Sequence, residues 1–190
     1  MDIILASASP RRKNLLEQIG LSFQVRASGI DEKVATGLEP GNVAEILAAD
    51  KARDLARQGI KGLIIGADTI VVQGNDILGK PETREEAEVM LEALQGKSHL
   101  VITGVAVIDT FSGRQEVFHE TTKVFFRSLT KEEIQAYIAS GEPMDKAGAY
   151  GIQGLGALLV ERLEGCYFNV VGLPLTRLAM TLKGFGVRLL

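Results

Sequence analysis

The chain has 190 residues, enough for a substantial core, and its 46% hydrophobic and 24% charged content is that of a soluble globular protein. A formal net charge of -3 argues against a broad nucleic-acid-binding face, though not against a local basic pocket. With a single cysteine, Cys166, no internal disulfide can form, and a cytosolic setting fits.

The apolar run Ile3-Ile4-Leu5-Ala6 has no basic region before it and is too short for a signal peptide. It reads as a strand, followed by the turn Ser7-Ala8-Ser9-Pro10-Arg11-Arg12 and a helix ending at Gly20. Ser9 suits the N-cap and Pro10 the first helical position. Arg11 and Arg12 then fall at the positive end of the helix dipole, where cations are disfavoured. A polyanion over this turn would resolve the conflict, since amides, hydroxyls and guanidinium groups would converge on it. The alternative is two solvated arginines on an ordinary helix.

Val25 to Ile30 reads as a second extended segment, followed by Asp31 and Glu32. From Pro40 to about Arg57 the apolar positions Val43, Ile46, Leu47 and Leu55 fit a helical stripe, with Lys51 among alanines. Leu63 to Val72 is a buried strand pattern interrupted by Gly66, Asp68 and Thr69, and Gly74-Asn75-Asp76 is a turn. Gly79-Lys80-Pro81 is a tight link. Thr83 with Glu86, and Thr130 with Glu133, are capping boxes opening two helices. Between them, Leu100–Phe111 and Glu116–Phe126 flank the hairpin signal Ser112-Gly113. Glu142 to Leu155 is irregular and glycine-rich. Ala157–Leu163 and Cys166–Val171 read as closing strands, and a last helix runs from Pro174 to about Gly184. No stretch is long and apolar enough to cross a bilayer, so a soluble, cytoplasmic protein without membrane or nucleic-acid partners is expected. The reading is one α/β domain over residues 1–190, with a long mixed sheet, helices on both sides and two lobes around a cleft.

Several familiar sites are missing from the sequence. There is no P-loop, no dinucleotide fingerprint and no nucleophile elbow. His99 and His119 are the only histidines, and with one cysteine a zinc site is improbable; both read as strand-surface residues, and Cys166 as a packing residue in a strand. What remains is a polar set in apolar or glycine-rich contexts. Asp68, inside an apolar run, needs partners or a cavity, because a buried unpaired charge is expensive. It reads as a metal ligand or a general base, against a satisfied structural carboxylate. Glu32 is a candidate second acid near a metal, against a solvated loop glutamate. Lys51 and Lys80 are candidates for phosphate oxygens, against surface lysines. The segment Asp145–Gly154 reads as a recognition loop in which Gln153 offers a donor and an acceptor to a base edge, against a plain glycine-rich connection. Basic groups, an acidic group and an amide together suggest a nucleotide polyphosphate with magnesium or manganese.

Four stretches in register, Ser7–Arg12, Gly66-Ala67-Asp68-Thr69, Gly79-Lys80-Pro81 and Glu142–Gly154, resemble the Maf family of nucleoside triphosphate pyrophosphatases across nearly the whole chain. The resemblance implies an elongated fold similar to inosine triphosphate pyrophosphatase, with the site in a cleft between lobes. It implies divalent-metal-assisted hydrolysis of a triphosphate to the monophosphate and pyrophosphate, and a homodimer. Thr69, Gln153 and Arg11 match the branch acting on dTTP and UTP, including modified uridine triphosphates. Asp68 matches the proposed proton acceptor, with Ser7, Ser9, Arg11, Arg12, Lys51 and Lys80 holding phosphates. Two competing readings are a non-enzymatic nucleotide-binding regulator of division and septum formation, with which the Maf name is linked, and a phosphatase releasing orthophosphate stepwise.

Overall fold

Strand β1 (Ile3–Leu5) is buried at every position, as expected of a strand covered on both faces. It leads into helix α1 (Pro10–Gln18), capped as read: Ser9 Oγ accepts from Arg12 N–H at 3.5 Å, and Pro10 takes the first turn. Strand β2 (Gln24–Val25) is shorter than the extended segment read from the sequence, because only two residues find ladder partners on β1. The computed structural model describes residues 1–30 and 37–190.

Helix α2 (Pro40–Arg57) is followed by β3 (Leu63–Gln73), β4 (Asp76–Leu78) and helix α3 (Arg84–Leu94). Then come β5 (Ser98–Asp109), β6 (Gln115–Phe126) and helix α4 (Lys131–Ala139). Three 3₁₀ turns, Glu142–Asp145, Ala147–Ala149 and Gly154–Leu158, make up the irregular stretch. Strand β7 (Val160–Glu164), the short helix α5 (Tyr167–Val171) and helix α6 (Leu175–Gly184) close the chain.

The seven strands of the described residues form one mixed sheet in the order β2-β1-β3-β5-β6-β7, with β4 on β3. β1 is parallel to both β2 and β3, whereas β4 runs antiparallel to β3 and β7 antiparallel to β6. The α/β class and the mixed sheet are those read from the sequence. The described residues fall into two compact units. The first takes Met1–Asp68, Thr103–Glu120 and Gly172–Leu190, and its core joins Ile4, Ala48, Ala52, Ile64 and Ala106. The second takes Thr69–Ile102 and Thr121–Val171, and its core joins Leu91, Leu94, Val124, Phe126 and Ile138.

Three local readings need correction. Cys166–Val171 is not a strand: Tyr167–Val171 is helical, and Cys166 precedes it. The aromatic and β-branched residues there favour extension. They are overruled by Asn169, fully buried, whose Nδ2 donates to Val101 O and to Thr122 Oγ1 at 3.0 Å each. His99 is not a surface residue but 3% exposed, packed edge-on against Phe126 and Tyr150. The first capping box is only half formed. Thr83 Oγ1 accepts from Glu86 N–H, but Glu86 Oε2 takes the amide of Glu82 instead of that of Thr83. The box of Thr130 and Glu133 is complete.

Candidate active site

The site is built on α2 lying directly against the sheet. The face of α2 toward it is lined by Ala44, Ala48, Ala49 and Ala52. Gly66 on β3 and Gly104 on β5 meet that face with no side chain. A Cβ at Gly66 would stand 2.1 Å from Ala48 O, and one at Gly104 would stand 2.0 Å from Ala44 O. Backbone-to-backbone approach of this kind requires glycine. It places Lys51, three residues beyond Ala48, over Asp68, two residues beyond Gly66. Lys51 Nζ donates to Asp68 Oδ1 in an ion pair. Asp68 is 7% exposed in a strand made mostly of apolar residues, so the lysine supplies the compensation that a buried carboxylate needs.

β1 brings a second group to the same unit. Its parallel register pairs Leu5 with Ile65, and Ala6 N–H donates to Ile65 O at 2.8 Å. The turn that starts at Ser7 therefore leaves β1 beside Ile65, with Asp68 about 10 Å further along β3 at the usual strand rise. β1 also lies between two parallel partners, β2 on one side and β3 on the other. Such reversals of winding are where open α/β sheets bind ligands, at the carboxyl ends of their strands.

Within that turn, Ser7 Oγ accepts from Ser9 N–H at 3.2 Å and from Arg12 Nη1 at 3.1 Å. Arg12 is 8% exposed, and its Nε donates to Gly172 O at 2.9 Å. Arg12 is therefore a buried brace joining the turn to the start of the α6 segment. Arg11 is half-buried at the start of α1. The structure thus gives the two adjacent arginines different surroundings.

The second unit carries the other candidates. Thr69 follows Asp68 on β3 and is half-buried. Lys80 is exposed on the link between β4 and α3. That link is tied to the glycine-rich segment, because Gly148 N–H donates to Gly79 O at 2.9 Å. Gln153 is exposed at the N-cap of the third 3₁₀ turn, where its side chain makes no capping bond. Deeper in, His99 Nε2 and Tyr150 Oη are 2.7 Å apart. Burial holds the imidazole down at about 4 and pushes the Tyr150 phenol up, so both are neutral near pH 7. Glu32 lies outside the described residues. Among the described residues, no group of three or more His, Cys, Asp or Glu side chains is placed to hold a metal ion.

Sequence reasoning gave no role to Gly66, Gly104 or Gly172. The first two had a signal, since each glycine interrupts a strand otherwise made to pack. The third had none, because it acts through a carbonyl 160 positions from Arg12.

These features define an α/β protein with a charged site at the carboxyl end of parallel strands. A family model described as "Maf-like protein" matches residues 2–185, and the chain belongs to the Maf family. The dTTP/UTP pyrophosphatase of Pelotomaculum thermopropionicum is 53% identical over 189 residues, covering 100% of this chain and 99% of that protein. Those of Desulforamulus reducens and Geobacillus sp. strain WCH70 are 52% and 54% identical, each covering 98% of the relative's length, with 98% and 97% of this chain aligned. Among solved structures, a nucleoside-triphosphatase/dITP/XTP pyrophosphatase from Mycobacterium abscessus aligns over 98% of this chain at TM-score 0.45 and 13% identity, too slight a likeness to argue from.

Proposed function

We propose that this chain hydrolyses the α–β phosphoanhydride of dTTP and UTP, releasing the monophosphate and pyrophosphate. The observation that carries this reading is the pairing of Asp68 with Lys51 in the unit that also holds the Ser7–Arg12 turn. It sets one buried acid and several cations where a triphosphate could meet both. The dTTP/UTP pyrophosphatases named above, alike over the full length, support the substrate class.

In this reading Asp68 accepts a proton from the attacking water, or orients it, as an oxygen–phosphorus bond forms at the α-phosphorus. The bond from that phosphorus to its bridging oxygen breaks, and the charge on departing pyrophosphate is met by Arg11, Lys51 and Lys80. Ser7 and Ser9 place the phosphates. Arg12 contributes by bracing the turn and by its charge. Thr69 and Gln153 belong to base and sugar recognition. A divalent ion fits this donor chemistry, because magnesium is commonly held by one or two carboxylates together with substrate phosphates. Asp68 would hold it, with Glu32 the second candidate, and it would supply charge neutralisation of the triphosphate. A homodimer in the cytoplasm is the accompanying assignment.

The experiment is a panel of nucleoside triphosphates with magnesium and with manganese, assayed separately for pyrophosphate and orthophosphate. Pyrophosphate from dTTP and UTP ahead of the purine triphosphates is expected. Orthophosphate as the first product would make the protein a stepwise phosphatase. Binding without turnover in either metal would favour the nucleotide-binding regulator.

A further inference from the structure

Gln153 is exposed, yet the backbone on both sides of it is fixed from elsewhere in the second unit. Before it, Gly151 N–H donates to Tyr137 Oη at 3.3 Å. After it, Leu155 N–H donates to Glu142 Oε1 at 3.0 Å and Gly156 N–H donates to Glu142 Oε2 at 3.3 Å. Leu155 N–H belongs to the first turn of the 3₁₀ segment Gly154–Leu158, where it has no intrahelical acceptor. The residue at the cap position normally supplies that acceptor. Here Gln153 occupies the position and makes no such bond. A carboxylate 13 residues before Leu155 does the capping instead.

Two further details show that the arrangement is built. Gly154 has φ +66°, and a Cβ there would stand 2.6 Å from Glu142 Oε1, so the carboxylate fits against a residue without a side chain. The backbone of Glu142 is itself tied down, since Lys146 Nζ donates to Glu142 O and pairs with Asp145.

We propose that Glu142 is a positioning residue for base selection: by capping the turn from a distance it leaves the Gln153 carboxamide available and holds its backbone in one place. This rests on Gln153 being the base reader. Uracil and thymine present a donor at N3 beside an acceptor at O4, whereas cytosine presents an acceptor beside a donor. A carboxamide carries one acceptor and two donors and can serve either pattern, depending on how it is presented. A loop fixed on both sides restricts that presentation and lowers the ordering cost of each binding event.

The test compares kcat/KM for dTTP with that for dCTP, read as pyrophosphate, in wild type, Glu142→Ala, Glu142→Gln, Gln153→Ala and the Glu142→Ala/Gln153→Ala double variant, with melting temperatures alongside. Glu142→Ala is expected to lower the dTTP:dCTP ratio about tenfold, the worth of one well-placed hydrogen bond. Glu142→Gln, which keeps one carbonyl acceptor, should fall between, and it carries the test if the alanine variant melts below the assay temperature. In the Gln153→Ala background the Glu142→Ala change should alter the ratio less than about twofold, because the group it positions is gone. A folded Glu142→Ala or Glu142→Gln protein with the wild-type ratio overturns the proposal while leaving Gln153 as reader. An equal loss of ratio in both backgrounds also overturns it, by making Glu142 merely structural. If Gln153→Ala itself keeps the wild-type ratio, the reader assignment fails first and the role of Glu142 in selection fails with it.

Discussion

Asp68 and Gln153 are both candidate site residues, but the protein holds them by different physical means. Asp68 is fixed by main-chain contact of α2 with β3 and β5 at Gly66 and Gly104, and by the ion pair with Lys51. Gln153 is fixed by hydrogen bonds that the peptide groups around it donate to Glu142 and Tyr137. Steric contact rises steeply over tenths of an ångström, whereas each net hydrogen bond is worth about 1 kcal/mol. Damage near Asp68 should therefore cost stability and turnover together. Damage near Gln153 should change selectivity at little cost in stability.

The largest expected effect tests the first half of that contrast. Asp68→Asn keeps the shape and removes the charge, and pyrophosphate release should fall about 10³-fold, within the range for loss of a general base. Circular dichroism at the assay temperature checks that the variant is folded, and near-normal turnover would remove Asp68 from the chemistry. Gly66→Ala should destabilise by about 3 kcal/mol, the upper range for overpacking, since the contact atom is the main-chain Ala48 O and no flexible side chain can yield. Urea denaturation measures this, and a loss under about 0.5 kcal/mol would show that α2 can shift.

The aromatic cluster under the glycine-rich loop gives a pH test of the second region. Burial lowers the His99 pKa to about 4 from the ordinary 6.5. The unfolded chain therefore takes up a proton near pH 6.5 while the folded chain does not. Stability is fully present above pH 6.5 and is lost as pH falls through that value to about 4, by about 3 kcal/mol at most. His99→Gln should flatten this part of the stability–pH curve, and an unchanged slope would place the proton uptake elsewhere. The smallest effect belongs to Lys80→Ala. Its side chain is exposed, so stability should change by less than about 0.5 kcal/mol while KM for dTTP rises, about tenfold for one charged phosphate contact.

The sequence made Asp68 legible because a carboxylate inside Leu63–Val72 contradicts its surroundings. Lys51 was visible only as a cation among alanines. Its pairing with Asp68 became apparent once the glycines showed how closely α2 lies on the sheet. Arg12 was read as half of a phosphate-binding pair, and its burial depends on Gly172 O, a partner with no local signature. His99 and the Cys166–Val171 segment were misread for one reason. Local propensity described each as strand-like, which holds for His99 but not for Cys166–Val171, and distant partners, Tyr150 for one and Val101 with Thr122 for the other, decided its surroundings or shape. The capping pairs were legible because their partners are three residues apart, although Glu86 found a neighbouring amide instead.

The seat of α2 has a consequence for how this protein can vary. Where a helix rests on side chains, evolution can trade a larger one for a smaller one across the joint and move the helix by small steps. At Gly66 with Ala48, and at Gly104 with Ala44, one surface is bare peptide, so no such trade exists. The spacing of Lys51 from Asp68 is then a constant of the backbone, and adaptation to new substrates must be written in the loops around it.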